Sequence, residues 1–155
     1  MFSGIIQTIG KIKKIDRKNK ILIVNSNFKN LSLGESISCS GICLTISKIQ
    51  KDCFFCNVST ETIDKTNLIS KRVGNELNLE RSLKMNDPIS GHLVFGHVDG
   101  TSIVNDVNYV GDSWVISFSA KKKITKFLIS KCSISLDGIS LTVNGVNKEG
   151  FDVTI

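Results

Sequence analysis

The sequence predicts an all-β protein built from two similar small closed β-barrels, of which the second is incomplete at its C-terminal end. Three observations predict this architecture: a long internal repeat, short segments in which apolar and polar residues alternate, and turn residues between those segments. Many short, evenly spaced strands with little helix are typical of small barrels.

The internal repeat is clearest where SGICLTI, residues 40–46, returns as DGISLTV, residues 137–143. The start of the chain repeats more weakly, since FSGII at 2–6 resembles VFGHV at 94–98. The two alignments differ in register, so a small insertion separates them, and residues 120–130 are its predicted place. Two copies of this length indicate two small domains rather than a solenoid, whose repeats are shorter and more numerous.

The repeat divides the chain into a domain at residues 1–88 and a second domain at residues 89–155, with the single proline, Pro88, at the join. The first copy continues through residues 59–83, for which the second copy has no counterpart. The second sheet is therefore expected to lack covering strands and to expose unpaired backbone groups. We expect either disorder in this half or pairing with another chain.

Alternation and turn residues predict the individual elements. The strand candidates of the first copy are 2–9, 20–26, 35–40, 42–49, 53–58 and 75–80, and those of the second are 93–98, 101–108, 113–119, 132–137, 139–146 and 151–155. A short helix is predicted at 60–70, capped from Ser59 or Thr60. Helical spacing of apolar residues recurs within 120–130.

Composition argues against several classes of protein. The net charge of +6 comes from scattered lysines, and one Trp and one Tyr offer few stacking platforms, so nucleic-acid binding is disfavoured. No apolar run is long enough for a transmembrane helix, which argues against a membrane protein. The first residues, MFSGIIQTIGK, lack the basic region of a secretory signal, so a cytoplasmic location is expected.

The five cysteines are expected to be free thiols, because their number is odd and no export signal precedes them. Cys53 and Cys56 have a spacing used by zinc and redox sites, but they flank two phenylalanines within a predicted strand, and buried strand thiols are the favoured interpretation. His92 and His97 are five residues apart and point to opposite faces of a strand, which makes a poor metal pair. No metal site is predicted.

The repeated strands carry small polar side chains on one face. Ile42, Leu44 and Ile46 form the aliphatic face of the first strand and are assigned to the barrel core, so Cys43 and Thr45 point outward. By the same alternation, Ser140 and Thr142 point away from the second core. A solvated strand face and a ligand lying against the outside of the barrel both explain this pattern.

The sequence resembles the riboflavin synthase family along its whole length. Six ordered motifs carry the resemblance: MFSGII, GESISCSGICLTI, STETIDKTNL, VGNELNLERSLK, GHLVFGHVDG and KCSISLDGISLTVN. The chain departs from the family pattern at Ser40, where Asn is usual, at Phe95 in a variable position, and at Cys132, where Gly is common.

The resemblance implies two six-stranded antiparallel barrels of Greek-key type, each binding one molecule of 6,7-dimethyl-8-ribityllumazine. It implies that a four-carbon unit passes between the two molecules, giving riboflavin and 5-amino-6-ribitylamino-2,4-pyrimidinedione without a metal or redox cofactor. It also implies a homotrimer whose active sites lie between subunits, although the expected incomplete second barrel makes this assembly doubtful here. Lumazine synthase is a further candidate partner.

The resemblance also implies the site residues. The first site is expected to contain Gly4, Ile5, Ile6, Cys43, Leu44, Thr45, Asn57, Val58, Ser59, Thr60, Glu61 and Thr62. The second is expected to contain Gly96, His97, Val98, Lys131, Ser140, Leu141 and Thr142. The catalytic candidates are Ser36, Cys43, His97 and Ser140.

Two functions remain open on these residues. In the enzyme, His97 is a candidate proton carrier, and Cys43, Ser36 or Ser140 would supply a nucleophile or position water. The alternative is a non-catalytic lumazine- or flavin-binding relative, which has less need of both a thiol and an imidazole.

Overall fold

The computed structural model describes every residue from Met1 to Ile155. The strands are β1 (Thr8–Asp16), β2 (Ile21–Asn25), β3 (Ser36–Cys39), β4 (Ile42–Gln50), β5 (Cys53–Asn57), β6 (Glu76–Arg81), β7 (Ile103–Val110), β8 (Ser113–Ser119), β9 (Ser133–Leu136), β10 (Ile139–Val146) and β11 (Gly150–Thr154). The helices are α1 (Thr60–Lys65), a 3₁₀ helix (Asn67–Ser70) and α2 (Lys122–Thr125). Neither α-helix has the length and apolar character that crossing a membrane requires.

The first half is a closed antiparallel barrel with strand order β1-β2-β5-β4-β3-β6. Strand β6 closes it, because Leu79 pairs with Thr8 of β1 on one side and with Cys39 of β3 on the other. Alternate side chains of each strand fill the interior, as the sequence predicts for a barrel. Closure leaves no free strand edge, so all six strands share one core.

The second half is an open sheet of five strands in the order β7-β8-β11-β10-β9. This order repeats that of the first barrel without a strand between β9 and β7, where β6 would stand. The fully buried core consists of Val143, Phe151 and Val153, and the ring of Phe118 stacks on that of Phe151 with centroids 5.1 Å apart. Every residue of β7 is exposed. The predicted barrel architecture is therefore closed in the first half and open in the second.

An open cavity of about 1090 Å³ follows the inner face of the second sheet. Aliphatic side chains from several strands line it, among them Val107, Ile116, Ile134 and Leu141. In the first half the corresponding face is covered and the core side chains are buried. Since burial stabilises by about 25 cal/mol per Å² of apolar surface, the open sheet gains less from its core than the closed barrel does.

The predicted strands at 2–9 and 93–98 are wrong in position. The first regular strand begins at Thr8, and the segment 93–98 forms only an isolated bridge between Phe2 and Val94. Phe2 and Val94 pair with each other at this bridge, and of the two predicted strands only Thr8 and Ile9 join a sheet, through β6. The remaining predicted strands agree with the structure to within two residues.

The predicted helix at 60–70 is present as two pieces. Ser59 is the N-cap of α1, and its hydroxyl accepts a hydrogen bond from the Thr62 N–H at 3.0 Å. Thr66 separates α1 from the 3₁₀ helix and caps the latter through a bond from the Leu68 N–H. The helical spacing within 120–130 yields only the single turn of α2.

The leading segments of the two halves cross between them. The Phe2 N–H donates to the Val94 carbonyl at 2.8 Å, and the Val94 N–H returns the bond to Phe2 at 2.9 Å. Phe2 is fully buried, and Val98 packs against the core of the first barrel although it follows Pro88 in the chain. A domain division at residue 88 stays a prediction, because side chains from beyond it complete the first core.

Truncating Phe54 should cost the first barrel about 3–5 kcal/mol of unfolding free energy, the range for a buried Phe→Ala change. Phe54 is fully buried, whereas its neighbour Phe55 points to the other face and is only half-buried. Phe55→Ala is the matched control and should cost less. Urea unfolding of both variants measures the difference, and equal losses would contradict the assigned facing of β5.

The free edges of the second sheet should exchange amide hydrogens faster than their counterparts in the barrel. We expect the outward amides of β7 and β9 to exchange at least about tenfold faster than those of β1 and β3, which β6 covers. Residue-resolved hydrogen exchange on a monomeric sample measures this. Equal protection of both halves in that sample would contradict the open sheet.

Candidate functional site

Strand β4 presents the polar face that the sequence predicts. Ile42, Leu44 and Ile46 are buried, while Cys43 is half-buried and Thr45 is exposed. Ser36 of β3 pairs with Thr45 across the sheet, so the two side chains share this outer face. The barrel interior is thus filled by aliphatic groups, and the hydroxyl and thiol groups remain accessible on its outside.

Strand β10 repeats this face less cleanly. Ser140 is half-buried and Thr142 exposed, and Val143 is fully buried. Leu141 is only half-buried and Ile139 is exposed, because their side of the open sheet lacks a covering strand. The outward placement of the two hydroxyl side chains follows the sequence prediction, whereas the burial expected for the aliphatic face is partial.

Gly96 lies directly against Cys43. The Cys43 N–H donates to the Gly96 carbonyl at 2.9 Å, and a Cβ on Gly96 would stand 2.5 Å from the Cys43 Cβ. Gly96 also has a φ of +77°, a conformation that L-residues with side chains rarely adopt. Both observations require glycine at this contact.

The same contact occurs between Gly4 and Ser140. The Ser140 N–H donates to the Gly4 carbonyl at 2.8 Å, and a Cβ on Gly4 would stand 2.7 Å from the Ser140 Cβ. Gly4 has a φ of +76°, so it matches Gly96 in conformation as well as in contact. Each half therefore places the glycine of its leading segment on the polar strand of the other half.

This exchange corrects the grouping expected from the sequence. Gly4 was expected beside Cys43 and Gly96 beside Ser140, but the structure pairs Gly96 with Cys43 and Gly4 with Ser140. The repeat aligns each glycine with its own half and carries no information on which half it contacts. We call the Cys43 group the first half-site and the Ser140 group the second half-site.

The first half-site is completed by the start of α1. The Lys65 ammonium, hydrogen-bonded to Glu61 at 2.6 Å, lowers the pKa of the Glu61 carboxyl, and nearby His97 adds a smaller effect in the same direction. The exposed His97 imidazole thus lies on the side of the half-site where α1 begins. Of the other predicted residues here, Leu44 and Val58 are core side chains. Asn57 ends β5, Ser59 caps α1, and Thr60 and Thr62 lie in the first turn of α1.

His92 belongs to the second half-site, which the sequence analysis did not foresee. Its Nδ1 lies 2.6 Å from the Ser140 Oγ, and its backbone N–H donates to the Ser3 carbonyl at 3.1 Å. Burial lowers the pKa of His92, which favours the neutral imidazole. The five-residue spacing between His92 and His97 does not indicate this contact, because Ser140 is 48 positions away in the sequence.

The remaining predicted residues of the second half-site are Ile5, Ile6 and Lys131. Ile5 is exposed and Ile6 half-buried, beyond Gly4. Lys131 is exposed at a positive φ of 70°, and its N–H donates to the Val143 carbonyl at 2.7 Å. The structure thus divides the catalytic candidates, with Ser36, Cys43 and His97 at the first half-site and Ser140 at the second.

Cys43 differs from the most deeply buried thiols of the barrel. Burial raises the pKa of Cys56 to about 12 and raises that of Cys39 well above its ordinary value. Such thiols stay protonated at neutral pH and are poor nucleophiles. Cys43 is half-buried on the polar face, so it is the thiol of the first half-site that a ligand can reach.

The lowered pKa of His92 predicts a pH dependence of stability. The unfolded state takes up a proton near the ordinary value of 6.5, whereas the folded state resists it until a lower pH. Stability contributed by neutral His92 is complete above pH 6.5 and is lost as pH falls toward the lowered pKa. His92→Gln should therefore weaken the loss of stability on acidification, as measured by urea unfolding at several pH values.

His97→Gln is the control for this measurement, since His97 is the other histidine and is exposed. It should leave the acid-side loss of stability nearly as in the parent chain. A larger effect of His97→Gln than of His92→Gln would contradict the prediction.

The lumazine binding domain family matches this chain twice, over residues 3–82 and 95–155. Riboflavin synthase of Brucella abortus (strain 2308) is 38% identical over 164 residues, which cover 100% of this chain and 81% of that protein. Riboflavin synthase of Buchnera aphidicola subsp. Baizongia pistaciae (strain Bp) is 39% identical over 160 residues, which cover 99% of this chain and 75% of that protein.

Solved structures share the fold over nearly the whole chain. LumP complexed with riboflavin superposes with a TM-score of 0.86 at 21% identity, covering 99% of this chain and 86% of that one. LumP complexed with 6,7-dimethyl-8-(1'-D-ribityl) lumazine gives 0.84 at 21% identity, covering 99% and 85%. The double match to the lumazine binding domain and the full-length similarity to riboflavin synthases together show that this chain belongs to the riboflavin synthase family.

Proposed function

We propose that this chain is a riboflavin synthase, a transferase that dismutates two molecules of 6,7-dimethyl-8-ribityllumazine. One molecule gives up a four-carbon unit and leaves as 5-amino-6-ribitylamino-2,4-pyrimidinedione, and the other receives it and becomes riboflavin. The observation that carries the proposal is the pair of matching half-sites, in which Gly96 meets Cys43 and Gly4 meets Ser140. A reaction that consumes two copies of one substrate needs two similar sites, and their different fates need unequal chemistry.

The residues of the two half-sites supply the groups that this reaction requires. A proton must leave the acidic C7 methyl group of one lumazine, and the exposed His97 imidazole is the candidate group to carry it. The partner ring needs transient addition or activation, for which Cys43, Ser36 and Ser140 are the candidate nucleophiles or water-positioning groups. His92 adds a hydrogen-bond partner for the Ser140 hydroxyl. Holding two rings in a fixed mutual orientation supplies much of the acceleration.

The proposal includes the substrate contacts and the setting of the reaction. In the first half-site, substrate would contact Cys43, Thr45, residues 57–62 at the end of β5 and the start of α1, and Gly96–Val98. In the second it would contact Gly4–Ile6, Lys131, Ser140 and Thr142. We further propose that the two half-sites that form one active site come from different copies of a homotrimer, with lumazine synthase as a candidate partner. The proposed location is the cytoplasm, where the five thiols stay reduced.

The decisive experiment is incubation of the purified chain with 6,7-dimethyl-8-ribityllumazine while riboflavin is followed by absorbance and fluorescence. Formation of riboflavin and the pyrimidinedione in equal amounts would support the synthase. Binding of lumazine without conversion would favour a non-catalytic lumazine-binding protein, the second candidate function, which the shared fold with LumP makes a specific alternative. Neither binding nor conversion would contradict both.

Cys43→Ser tests the role of the thiol that distinguishes the two half-sites. It makes the first half-site resemble the second while preserving the contact of residue 43 with Gly96. We expect lumazine affinity to change by less than about twofold and kcat to fall at least about tenfold, because only the reacting group is altered. Isothermal titration and steady-state kinetics measure the two quantities.

Cys53→Ser is the matched control, since Cys53 is also half-buried but lies at the start of β5, away from both half-sites. It should leave kcat unchanged. If Cys43→Ser turns over as fast as this control, the thiol is structural and the proposed asymmetry is wrong.

A further inference from the structure

Glu80 on β6 is the one charged side chain that is fully buried, with 1% of its surface exposed. Its carboxylate accepts three hydrogen bonds: from the Ser3 N–H at 2.6 Å, from the Ser3 hydroxyl at 2.7 Å and from the Gly4 N–H at 3.0 Å. Burying a carboxylate is costly unless such donors surround it. A buried carboxylate of the first barrel thus fixes the positions of Ser3 and Gly4 in the segment 2–6.

The two residues that Glu80 fixes in turn hold the second half-site. The Gly4 carbonyl accepts the Ser140 N–H at 2.8 Å, and the Ser3 carbonyl accepts the His92 N–H at 3.1 Å. The His92 Nδ1 and the Ser140 Oγ then meet at 2.6 Å. Every link from the carboxylate to the Ser140 hydroxyl is therefore a hydrogen bond or the covalent structure of a single residue.

Close packing makes this connection stiff. A Cβ on Gly91 would lie 2.1 Å from the Ser3 carbonyl oxygen and 3.0 Å from the Ser140 Oγ, so the backbone beside His92 already touches both groups. A displacement of Ser3 or Gly4 would move their partners as well. Catalytic groups lose activity steeply when they are displaced, by about 10²-fold for 1 Å.

We propose that Glu80 is a positioning residue for Ser140: a carboxylate in the first barrel sets the place of the hydroxyl in the second half-site. The inference rests on the proposed function, since it assigns Glu80 a task in the same reaction. Glu80 touches no reacting atom and acts through Ser3 and Gly4.

The first half-site has no equivalent carboxylate. Phe95 stands in the repeat where Ser3 stands in the first copy, and its side chain is 60% exposed. The Gly96 carbonyl still accepts a hydrogen bond from the Cys43 N–H. The two glycine contacts therefore differ in support, and a change at Glu80 should act on Ser140 without acting on Cys43.

Glu80→Gln is the test, because glutamine keeps the size of the side chain but replaces one acceptor oxygen by a donor. That amide group would face the Ser3 and Gly4 donors and leave one of them without a partner. In the unliganded chain we expect hydrogen exchange at the Ser140 amide to rise at least about tenfold, while exchange at the Cys43 amide stays unchanged. In kinetics we expect kcat to fall at least about tenfold with a smaller change in KM.

Glu35→Gln is the matched control for loss of an anchored carboxylate. Glu35 is bonded by the Arg81 guanidinium and by the Ser32 N–H, and it contacts neither Ser3 nor Gly4. This change should lower stability with equal exchange at the Ser140 and Cys43 amides and with kcat retained. Similar behaviour of the two variants would overturn the proposal.

Ser3→Ala keeps the test decisive if Glu80→Gln does not fold. It removes one of the three donors and leaves both backbone N–H bonds, so it should raise exchange at Ser140 selectively but less strongly. Equal or absent effects at the Ser140 and Cys43 amides would overturn the positioning role. If the parent chain makes no riboflavin, the proposed function fails, while the exchange comparison still decides whether Glu80 positions Ser140.

Discussion

The arrangement of this protein depends on two close contacts between a glycine and a strand. Gly4 on Ser140 and Gly96 on Cys43 approach so closely that a side chain at either glycine would collide with the strand. Because each glycine belongs to one half and each strand to the other, the contacts tie the halves together at the points where the candidate chemistry lies. The reciprocal Phe2–Val94 bridge joins the two crossing segments and keeps them in register. The contacts that form the two half-sites are therefore also the contacts that hold the two halves together.

The two halves differ in how completely their sheets close and in how much core they bury. The first barrel is closed by β6, shares one core, and also supplies the buried Glu80 that fixes Ser3 and Gly4. The second sheet is open between β9 and β7 and has a much smaller fully buried core. Its polar strand nevertheless lies in a defined place, because Ser140 is bonded to a segment that the first barrel fixes. Hydrogen bonds from the closed barrel therefore help to hold the second half-site, which lies on the open sheet, in place.

Much of the fold was predictable because strand alternation is a local property. The outward facing of Cys43 and Thr45, the cap at Ser59 and most strand positions follow from residue pattern alone. The crossing of residues 2–6 and 94–98 was not predictable in this way, since extended segments show the same alternation whether they join their own sheet or another half. The place of His92 in the second half-site was not predictable for a related reason. Its partner, Ser140, is 48 positions away, and no local sequence spacing indicates that contact.

The same frame supports unequal chemistry at its two ends. At the first half-site a half-buried thiol, Cys43, stands with the exposed imidazole of His97 near the Glu61–Lys65 pair. At the second half-site a hydroxyl is bonded to a partly buried imidazole, whose lowered pKa favours the neutral form. The glycine-to-strand contact is thus repeated at the two half-sites, while the side chains beside it differ. The exchange of Cys43 for Ser140 and the partial burial of His92 therefore give the two half-sites different side-chain surroundings.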